Sequence, residues 1–162
     1  MVRPTPDRVR EALFSILGAR CQGAAVLDAC AGTGALGIEA LSRGAARALF
    51  VESDPAVAET LRSNVELVGL AGAEVLVADV LRVAPRLADR GHGPFDLVFV
   101  DPPFGEDIAA EVARAIAEGQ ALAPGALLVI EHPTGAEPVV PHLRRVDQRQ
   151  YGKVALAFFE SE

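Results

Sequence analysis

The stretch Asp28-Ala29-Cys30-Ala31-Gly32-Thr33-Gly34-Ala35-Leu36-Gly37 joins a short apolar run to a helical pattern. Its three glycines, Gly32, Gly34 and Gly37, spell G-x-G-x-x-G, a turn in which the backbone can approach a ligand closely. Glu52 stands 20 residues after Gly32 and ends the next apolar run, where an acid can bind the two hydroxyls of a ribose. The motif predicts a nucleotide-like cofactor, and by itself it does not choose between NAD and S-adenosylmethionine.

Strand-like and helix-like segments alternate along the chain, which is typical of an α/β fold with a mostly parallel sheet. The predicted strands are 24–27, 47–51, 74–78, 95–100, 126–130, 144–150 and 154–159. Helices are predicted to start at Pro6 and Pro55 and to cover 35–42, 80–87 and 107–118. The last two strands form a predicted hairpin through Tyr151-Gly152, and we expect one domain spanning residues 1–162.

Composition and charge narrow the function classes. Of the 162 residues, 51% are hydrophobic and 23% charged, as in ordinary globular proteins. No apolar stretch or leader-like segment stands out, so we expect a cytoplasmic protein without a membrane partner. The net charge of −7 argues against general nucleic-acid affinity. Seven of the 15 basic residues nevertheless lie near the two ends, where a functional patch and plain solvated surface are both possible: Arg3, Arg8, Arg10, Arg144, Arg145, Arg149 and Lys153.

The two cysteines, Cys21 and Cys30, form neither a disulfide framework nor a metal-ligand set. We interpret both as small core residues and predict no metal site. A cytosine-C5 methyltransferase would need a cysteine nucleophile near the end of the fourth strand. Neither cysteine stands there, so that class is rejected.

Acidic residues end four of the predicted strands: Asp28, Glu52, Asp79 and Asp101. Because ligands bind at the carboxyl ends of parallel strands, we expect these side chains to lie close together. Asp28 would repel a pyrophosphate and attract the cationic end of S-adenosylmethionine. Asp79 could accept a hydrogen bond from an adenine amino group, although a helix N-cap explains it equally well. The acids favour S-adenosylmethionine, and an NAD-dependent oxidoreductase remains the alternative.

The corner Asp101-Pro102-Pro103-Phe104 follows the apolar run 95–100. The Asp101 carboxylate and the Pro102 carbonyl could accept both hydrogens of an exocyclic amine, and the two prolines would hold that carbonyl in place. Phe104 could stack on an extruded base, which is worth roughly 1–3 kcal/mol. The corner predicts methyl transfer to an amino nitrogen, whereas a rigid turn with Phe104 in the core is the structural alternative.

Six segments carry a resemblance to a known family: Arg3 to Phe14, Leu27 to Gly37, Glu39 to Ala45, Val51-Glu52, Asp101-Pro102-Pro103-Phe104 and Tyr151-Gly152. Together they resemble the class I S-adenosylmethionine-dependent methyltransferases, and most closely the bacterial 16S rRNA guanine-N2 methyltransferase family. The resemblance implies a Rossmann-like class I methyltransferase fold, with a mostly parallel seven-stranded sheet, a C-terminal antiparallel hairpin and helices on both faces. It also implies methylation of one guanine at N2 in 16S rRNA, within the assembling 30S subunit, by a monomer.

The same resemblance implies roles for individual residues. Cofactor binding maps to Asp28, Ala31, Gly32, Thr33, Gly34, Glu52, Ser53, Asp79 and Val80. Catalysis maps to Asp101, Pro102, Pro103 and Phe104, and contact with RNA to Arg3, Thr5, Arg8, Arg10 and Tyr151. Family members usually begin with a basic β-hairpin, and this sequence begins after it. DNA adenine or a protein amide is the alternative substrate, and a catalytically silent RNA-binding module the alternative class.

Overall fold

A twisted sheet of seven strands forms the centre of the chain. The computed structural model describes residues 6–89, 91–103, 106–135 and 137–162. The strands are β1 (Ala25–Asp28), β2 (Arg47–Glu52), β3 (Ala73–Val77), β4 (Phe95–Val100), β5 (Leu122–Pro133), β6 (Arg144–Tyr151) and β7 (Val154–Glu160). Their order is β3-β2-β1-β4-β5-β7-β6. The first five strands pair in parallel, and β7 is antiparallel to both β5 and β6. The predicted sheet and its terminal hairpin are confirmed.

Helices cover both faces of this sheet. They are α1 (Asp7–Leu17), α2 (Ala35–Ser42), α3 (Pro55–Val68), α4 (Val80–Val83) and α5 (Glu106–Glu118). One apolar core packs α1, α2 and α3 against one face, and a second packs α4 and α5 against the other. This two-sided burial explains why the central strands read as continuous apolar runs. No helix in the described part of the chain is long and apolar enough to cross a membrane.

Two predicted helices differ from the structure. The prediction of one helix over 80–87 was wrong, because α4 ends at Val83 and a 3₁₀ turn, Ala84–Arg86, follows. Pro85 has no N–H and its ring would clash with the carbonyl four residues earlier, so the α-helix cannot continue through it. At the other end of the chain, Pro6 is the N-cap and not the first helical residue, and its carbonyl accepts from the Arg10 N–H at 3.0 Å.

The buried side of α3 is narrower than its sequence pattern predicts. The spacing of Val57, Leu61, Val65 and Val68 predicts that all four face the core, but Val68 is 45% exposed. Leu61 is fully buried, whereas Val57 and Val65 are only half-buried. The reason is the position of α3 over β3, which is the edge strand of the sheet and offers less surface to cover.

Candidate active site

One cavity of about 170 Å³ lies at the carboxyl ends of the parallel strands. Its wall is formed by Ala29, Cys30, Val51, Glu52, Ser53, Ala78, Asp79, Val80, Leu81, Pro102, Pro103, Ile108 and Val112. The cavity brings together six residues predicted for the site: Glu52, Ser53, Asp79, Val80, Pro102 and Pro103. The wall does not include Asp28, Asp101, the loop residues 31–34, Arg8, Arg10 or Tyr151. Arg3, Thr5 and Phe104 lie outside the described residues.

The glycine-rich loop is tied to the end of β2 through Glu52. The Gly32 N–H donates to Glu52 Oε1 at 2.8 Å, and the Asp54 N–H donates to Oε2 at 3.0 Å. The Ala31 N–H donates to the Val51 carbonyl at 2.9 Å. Each carboxylate oxygen has more than one lone pair, so Glu52 can hold the loop and still accept hydroxyl donors from the cavity.

A second contact holds the loop from α3. The Asn64 side-chain Nδ2 donates to the Thr33 carbonyl at 2.9 Å. Gly34 then starts α2 with a φ of 92°, a backbone conformation in which glycine carries no steric penalty. Sequence reasoning missed Asn64, because its contact joins residues 31 positions apart and no local pattern marks it.

Asp28 lies beneath the loop and not in the cavity wall. Its side chain is buried, and Oδ2 accepts from the Gly37 N–H at 3.0 Å. Burial raises the pKa of Asp28 to about 8, and the negative charges of Asp101 and Glu52 act in the same direction, against the hydrogen bond from Gly37. The carboxyl group therefore carries a proton at neutral pH in the absence of a nearby cation.

This raised pKa makes stability depend on pH. The folded state holds a proton on Asp28 that the unfolded chain loses near its ordinary value of 3.8. Its stabilisation is complete below that value and is lost as the pH rises toward about 8. Between pH 5 and 7 we expect a loss of ~1.4 kcal/mol per pH unit from this group. Asp28→Asn keeps an acceptor for Gly37 and does not titrate, so the free energy of unfolding of this variant should change less with pH. Urea unfolding from pH 5 to 8 measures this dependence in the wild-type chain and in the variant. The same dependence on pH in both would contradict the raised pKa of Asp28.

Asp79 fits both interpretations that the sequence allowed. Its Oδ1 accepts from the Leu81 N–H at 3.0 Å, so it is the N-cap of α4. It also lines the cavity, next to apolar side chains from α4 and α5 such as Val80, Ile108 and Val112. An apolar slot with an acceptor at its rim suits a flat ring that carries an amino group.

The two cysteines differ in their surroundings. Cys21 is fully buried in the core, as predicted. Cys30 packs against the core, as predicted, and it also lines the cavity. Burial, and then the negative charges of nearby carboxylates, with that of Asp28 the largest, raise the pKa of Cys30 to about 12. Cys30 is therefore a neutral thiol in the wall, not a nucleophile.

The Asp-Pro-Pro corner leaves β4 beside the end of β1. Pro102 is buried and Pro103 exposed, and both border the cavity. Asp28 pairs in register with Phe99 on β4. Asp101 follows two residues later, and its charge contributes to the raised pKa of Asp28. The corner therefore faces the same edge of the sheet as the glycine-rich loop.

The predicted RNA-contacting residues are divided between two places. Arg8 is exposed, and its Nη2 lies 4.0 Å from where a Cβ on Gly152 would stand. Tyr151 is half-buried and packs against the core under α1, so Arg8 and the hairpin corner share one surface. Arg10 pairs with Asp7 at 3.1 Å and with Glu39 of α2 at 3.8 Å.

Three arginines of β6 form ion pairs with acids on the surface. The pairs are Arg144 with Glu160 at 3.3 Å, Arg145 with Glu137 at 3.3 Å and Arg149 with Asp147 at 3.0 Å. Such exposed pairs contribute little to stability. They offset the positive charge locally, which favours the solvated-surface interpretation for these three residues.

Two buried polar residues near the carboxyl end of β5 had no role in the sequence analysis. Glu131 is 8% exposed and His132 is 2% exposed. Sequence reasoning ended this strand at Ile130, whereas β5 continues to Pro133. The rule that found the four strand-end acids would also have found Glu131 and His132, because both follow directly on an apolar run.

The sheet order, with β7 antiparallel between β5 and β6, is that of the class I methyltransferase fold. The solved rRNA methyltransferase aviRa from Streptomyces viridochromogenes shares this fold, with a TM-score of 0.76 and 18% identity over 98% of this chain and 86% of that one. The chain belongs to the family described as conserved hypothetical protein 95, whose family model matches residues 1–160.

Two relatives agree with this membership. Ribosomal RNA small subunit methyltransferase D of Escherichia coli K12 is 38% identical over 165 aligned residues, which cover 99% of this chain and 80% of the relative. The solved structure of yhhF from Escherichia coli has a TM-score of 0.88 and 34% identity, and the match covers 100% of this chain and 90% of that one.

Proposed function

We propose that this chain transfers a methyl group from S-adenosylmethionine to the N2 amino group of a guanine in 16S ribosomal RNA. One observation carries the proposal: a single cavity joins Glu52 and Asp79 to Pro102 and Pro103. The two carboxylates can accept hydrogen bonds from a nucleoside, and the proline corner can accept them from an amine next to that nucleoside. The Escherichia coli relative is named a ribosomal RNA small subunit methyltransferase, which supports small-subunit rRNA as the substrate.

The residues around the cavity fit S-adenosylmethionine. Glu52 is oriented by two backbone N–H groups and can accept from the ribose hydroxyls. Asp79 can accept from the adenine amine between apolar walls. Asp28, under the loop, favours a cation nearby, and we expect cofactor binding to lower its pKa. We assign cofactor binding to Asp28, Ala31, Gly32, Thr33, Gly34, Glu52, Ser53, Asp79 and Val80.

When bound, the cofactor supplies an electrophilic methyl group next to a positively charged sulfur. The chain has to present the amine, whose lone pair is delocalised into the guanine ring. Accepting both N2 hydrogens at Asp101 and at the Pro102 carbonyl would turn that lone pair out of the ring. Catalysis then rests on positioning and electrostatics, without a covalent enzyme intermediate.

In the proposed transfer the N2 nitrogen would take up the methyl group, and the electrons of the cofactor's C–S bond would remain with the released neutral thioether. The surplus proton on nitrogen passes to water, directly or through the Asp101 carboxylate. Pro103 stiffens the corner, and Phe104 would stack on the guanine base. We propose RNA contacts at Arg3, Thr5, Arg8, Arg10 and Tyr151, and action on the assembling 30S subunit by a monomer.

The decisive experiment is methyl transfer from tritiated S-adenosylmethionine to 16S rRNA, free and in 30S particles. Nucleoside analysis of the labelled RNA should give N2-methylguanosine, because the proposed corner presents an exocyclic amine at that position. N6-methyladenosine as the product would contradict the guanine substrate. Label transferred only to DNA or to protein would contradict the RNA substrate.

Calorimetry tests the cofactor independently of the substrate. S-adenosylhomocysteine should bind, and NAD should give no heat. Binding of NAD alone would contradict the methyltransferase proposal and favour an oxidoreductase. Binding of S-adenosylhomocysteine without transfer to any of these substrates would contradict the proposed reaction while leaving the cofactor assignment in place.

A further inference from the structure

Glu131 is placed beside Asp101 by the pairing of β4 and β5. The last pair in the parallel register joins Val100 to Ile130, so the next residues along the chain are Asp101, just past the end of β4, and Glu131, on β5. Adjacent strands lie ~4.8 Å apart. The two carboxylates therefore start from neighbouring backbone positions at the edge of the sheet where the cavity lies.

Glu131 belongs to the face of the sheet under α1. Phe99 of β4 and Val129 of β5 pack in the core that includes α1 residues such as Leu13. Successive side chains along a strand point to opposite faces, so residues two positions on share a face. Glu131 thus continues the row of Val129, and Asp101 stands two residues after Phe99, just past the end of β4. Arg8 on α1 and Tyr151 in the hairpin lie on this same side of the sheet.

Glu131 is a charged residue type at a buried position of β5. Its side chain is 8% exposed, and its register partner on β7 is the apolar Leu156. An apolar side chain at such a position is commonly as stable as a buried charge, or more stable. Residues that break the local packing preference are expected at functional sites. Glu131 lies next to the proposed catalytic corner, so we look for its role in binding the substrate.

The chemistry of guanine supplies that function. Its Watson–Crick edge carries the N1–H donor directly beside the N2 amino group. If Asp101 and the Pro102 carbonyl accept the N2 hydrogens, the neighbouring donor is N1–H, on the side where a second acceptor is needed. Adenine has a bare N1 lone pair at the equivalent ring position, which a carboxylate repels. Enzymes that act on an extruded base read this edge by hydrogen bonds.

We infer that the Glu131 carboxylate accepts the N1–H of the target guanine and so makes the reaction specific for guanine. This inference rests on the proposed function. Glu131 is then a specificity residue in direct contact with the substrate base. A site built to bond a substrate N–H rejects an analogue that lacks it, because its own polar group is left unpaired.

The test compares two synthetic RNAs that differ at the methylated position, once nucleoside mapping has located it. One RNA carries guanine there, and the other carries 2-aminopurine, which keeps the 2-amino group and lacks N1–H. We expect the wild-type chain to prefer guanine by ~100-fold in kcat/KM. In Glu131→Gln the amide can donate to the bare N1, so the preference should fall to below ~5-fold.

Each result supports or overturns the inference. An unchanged base preference in Glu131→Gln would overturn it, as would equal rates on both RNAs in the wild-type chain, a result that does not depend on the variant folding. The exposed Glu111→Gln on α5 is the matched control and should keep the wild-type preference. Thermal unfolding and S-adenosylhomocysteine binding report whether each variant is folded. A wild-type chain inactive on guanine would instead contradict the proposed function itself.

Discussion

Asp101→Asn should lower the rate of methyl transfer by ~10²–10³-fold, the range seen when one preorganised electrostatic contact to a transition state is removed. The asparagine oxygen can still accept a hydrogen bond, but the negative charge that stabilises the developing positive charge on N2 is lost. Cofactor binding should stay within about twofold, because the acids in the cavity wall are Glu52 and Asp79. Single-turnover transfer from tritiated S-adenosylmethionine measures the step directly.

The same variant carries its own control for folding. The charge of Asp101 helps to raise the pKa of Asp28, so removing it should leave the chain at least as stable as wild type above neutral pH. Asp89→Asn, an exposed acid after the 3₁₀ turn Ala84–Arg86, is the matched variant and should transfer at the wild-type rate. A folded Asp101→Asn variant with wild-type transfer would show that the catalytic corner is assigned to the wrong residues.

Gly37→Ala should lower the free energy of unfolding by about 3 kcal/mol, the upper part of the range for overpacked cores. A Cβ at this position would stand 2.3 Å from Cε2 and 2.8 Å from Cζ of Phe50. The Phe50 ring is fully buried, so it can move away only by displacing the core side chains around it. The Gly37 N–H also donates to Asp28, so a shift of α2 would displace the loop and weaken cofactor binding.

Gly69→Ala separates overpacking from backbone strain. Gly69 has a φ of 70°, and a Cβ there would meet no atom within 4 Å. This variant should lose only ~1 kcal/mol, from the left-handed conformation alone. Urea unfolding of the two variants at one pH gives the comparison. Equal losses of unfolding free energy in the two variants would show that α2 and Phe50 can relax, and that the close packing at Gly37 does not contribute to stability.

The elements that could be predicted from sequence are those set by local pattern. The bounds of α2 and β4 agree with the prediction. A glycine follows the helical pattern of α2, and an acid follows the apolar run of β4, so each end is marked in the sequence. The four strand-end acids were found for the same reason. Two exceptions are also local, since Pro85 ends α4 early and Pro6 is a cap, whereas the longer β5 (Leu122–Pro133) reflects its pairing with β4 and β7.

The contacts that could not be predicted join distant parts of the chain. The bond from Asn64 to the loop spans 31 residues, and the pair of Arg10 with Glu39 depends on how α1 and α2 pack against the sheet. The state of Asp28 is a further case. Its pKa depends on burial and on charges from β2 and the end of β4, none of which its own neighbours in sequence reveal.

The sequence by itself determined the class of fold, the glycine-rich loop and the corner at Asp101, because backbone preferences and the alternation of apolar residues act over a few positions. Only the tertiary structure decided that one cavity joins Glu52 and Asp79 to the proline corner, that Asp28 lies beneath the loop, and that Glu131 stands beside Asp101. Those relations depend on strand order and register, which are set by packing across the whole sheet and are not encoded in any short segment.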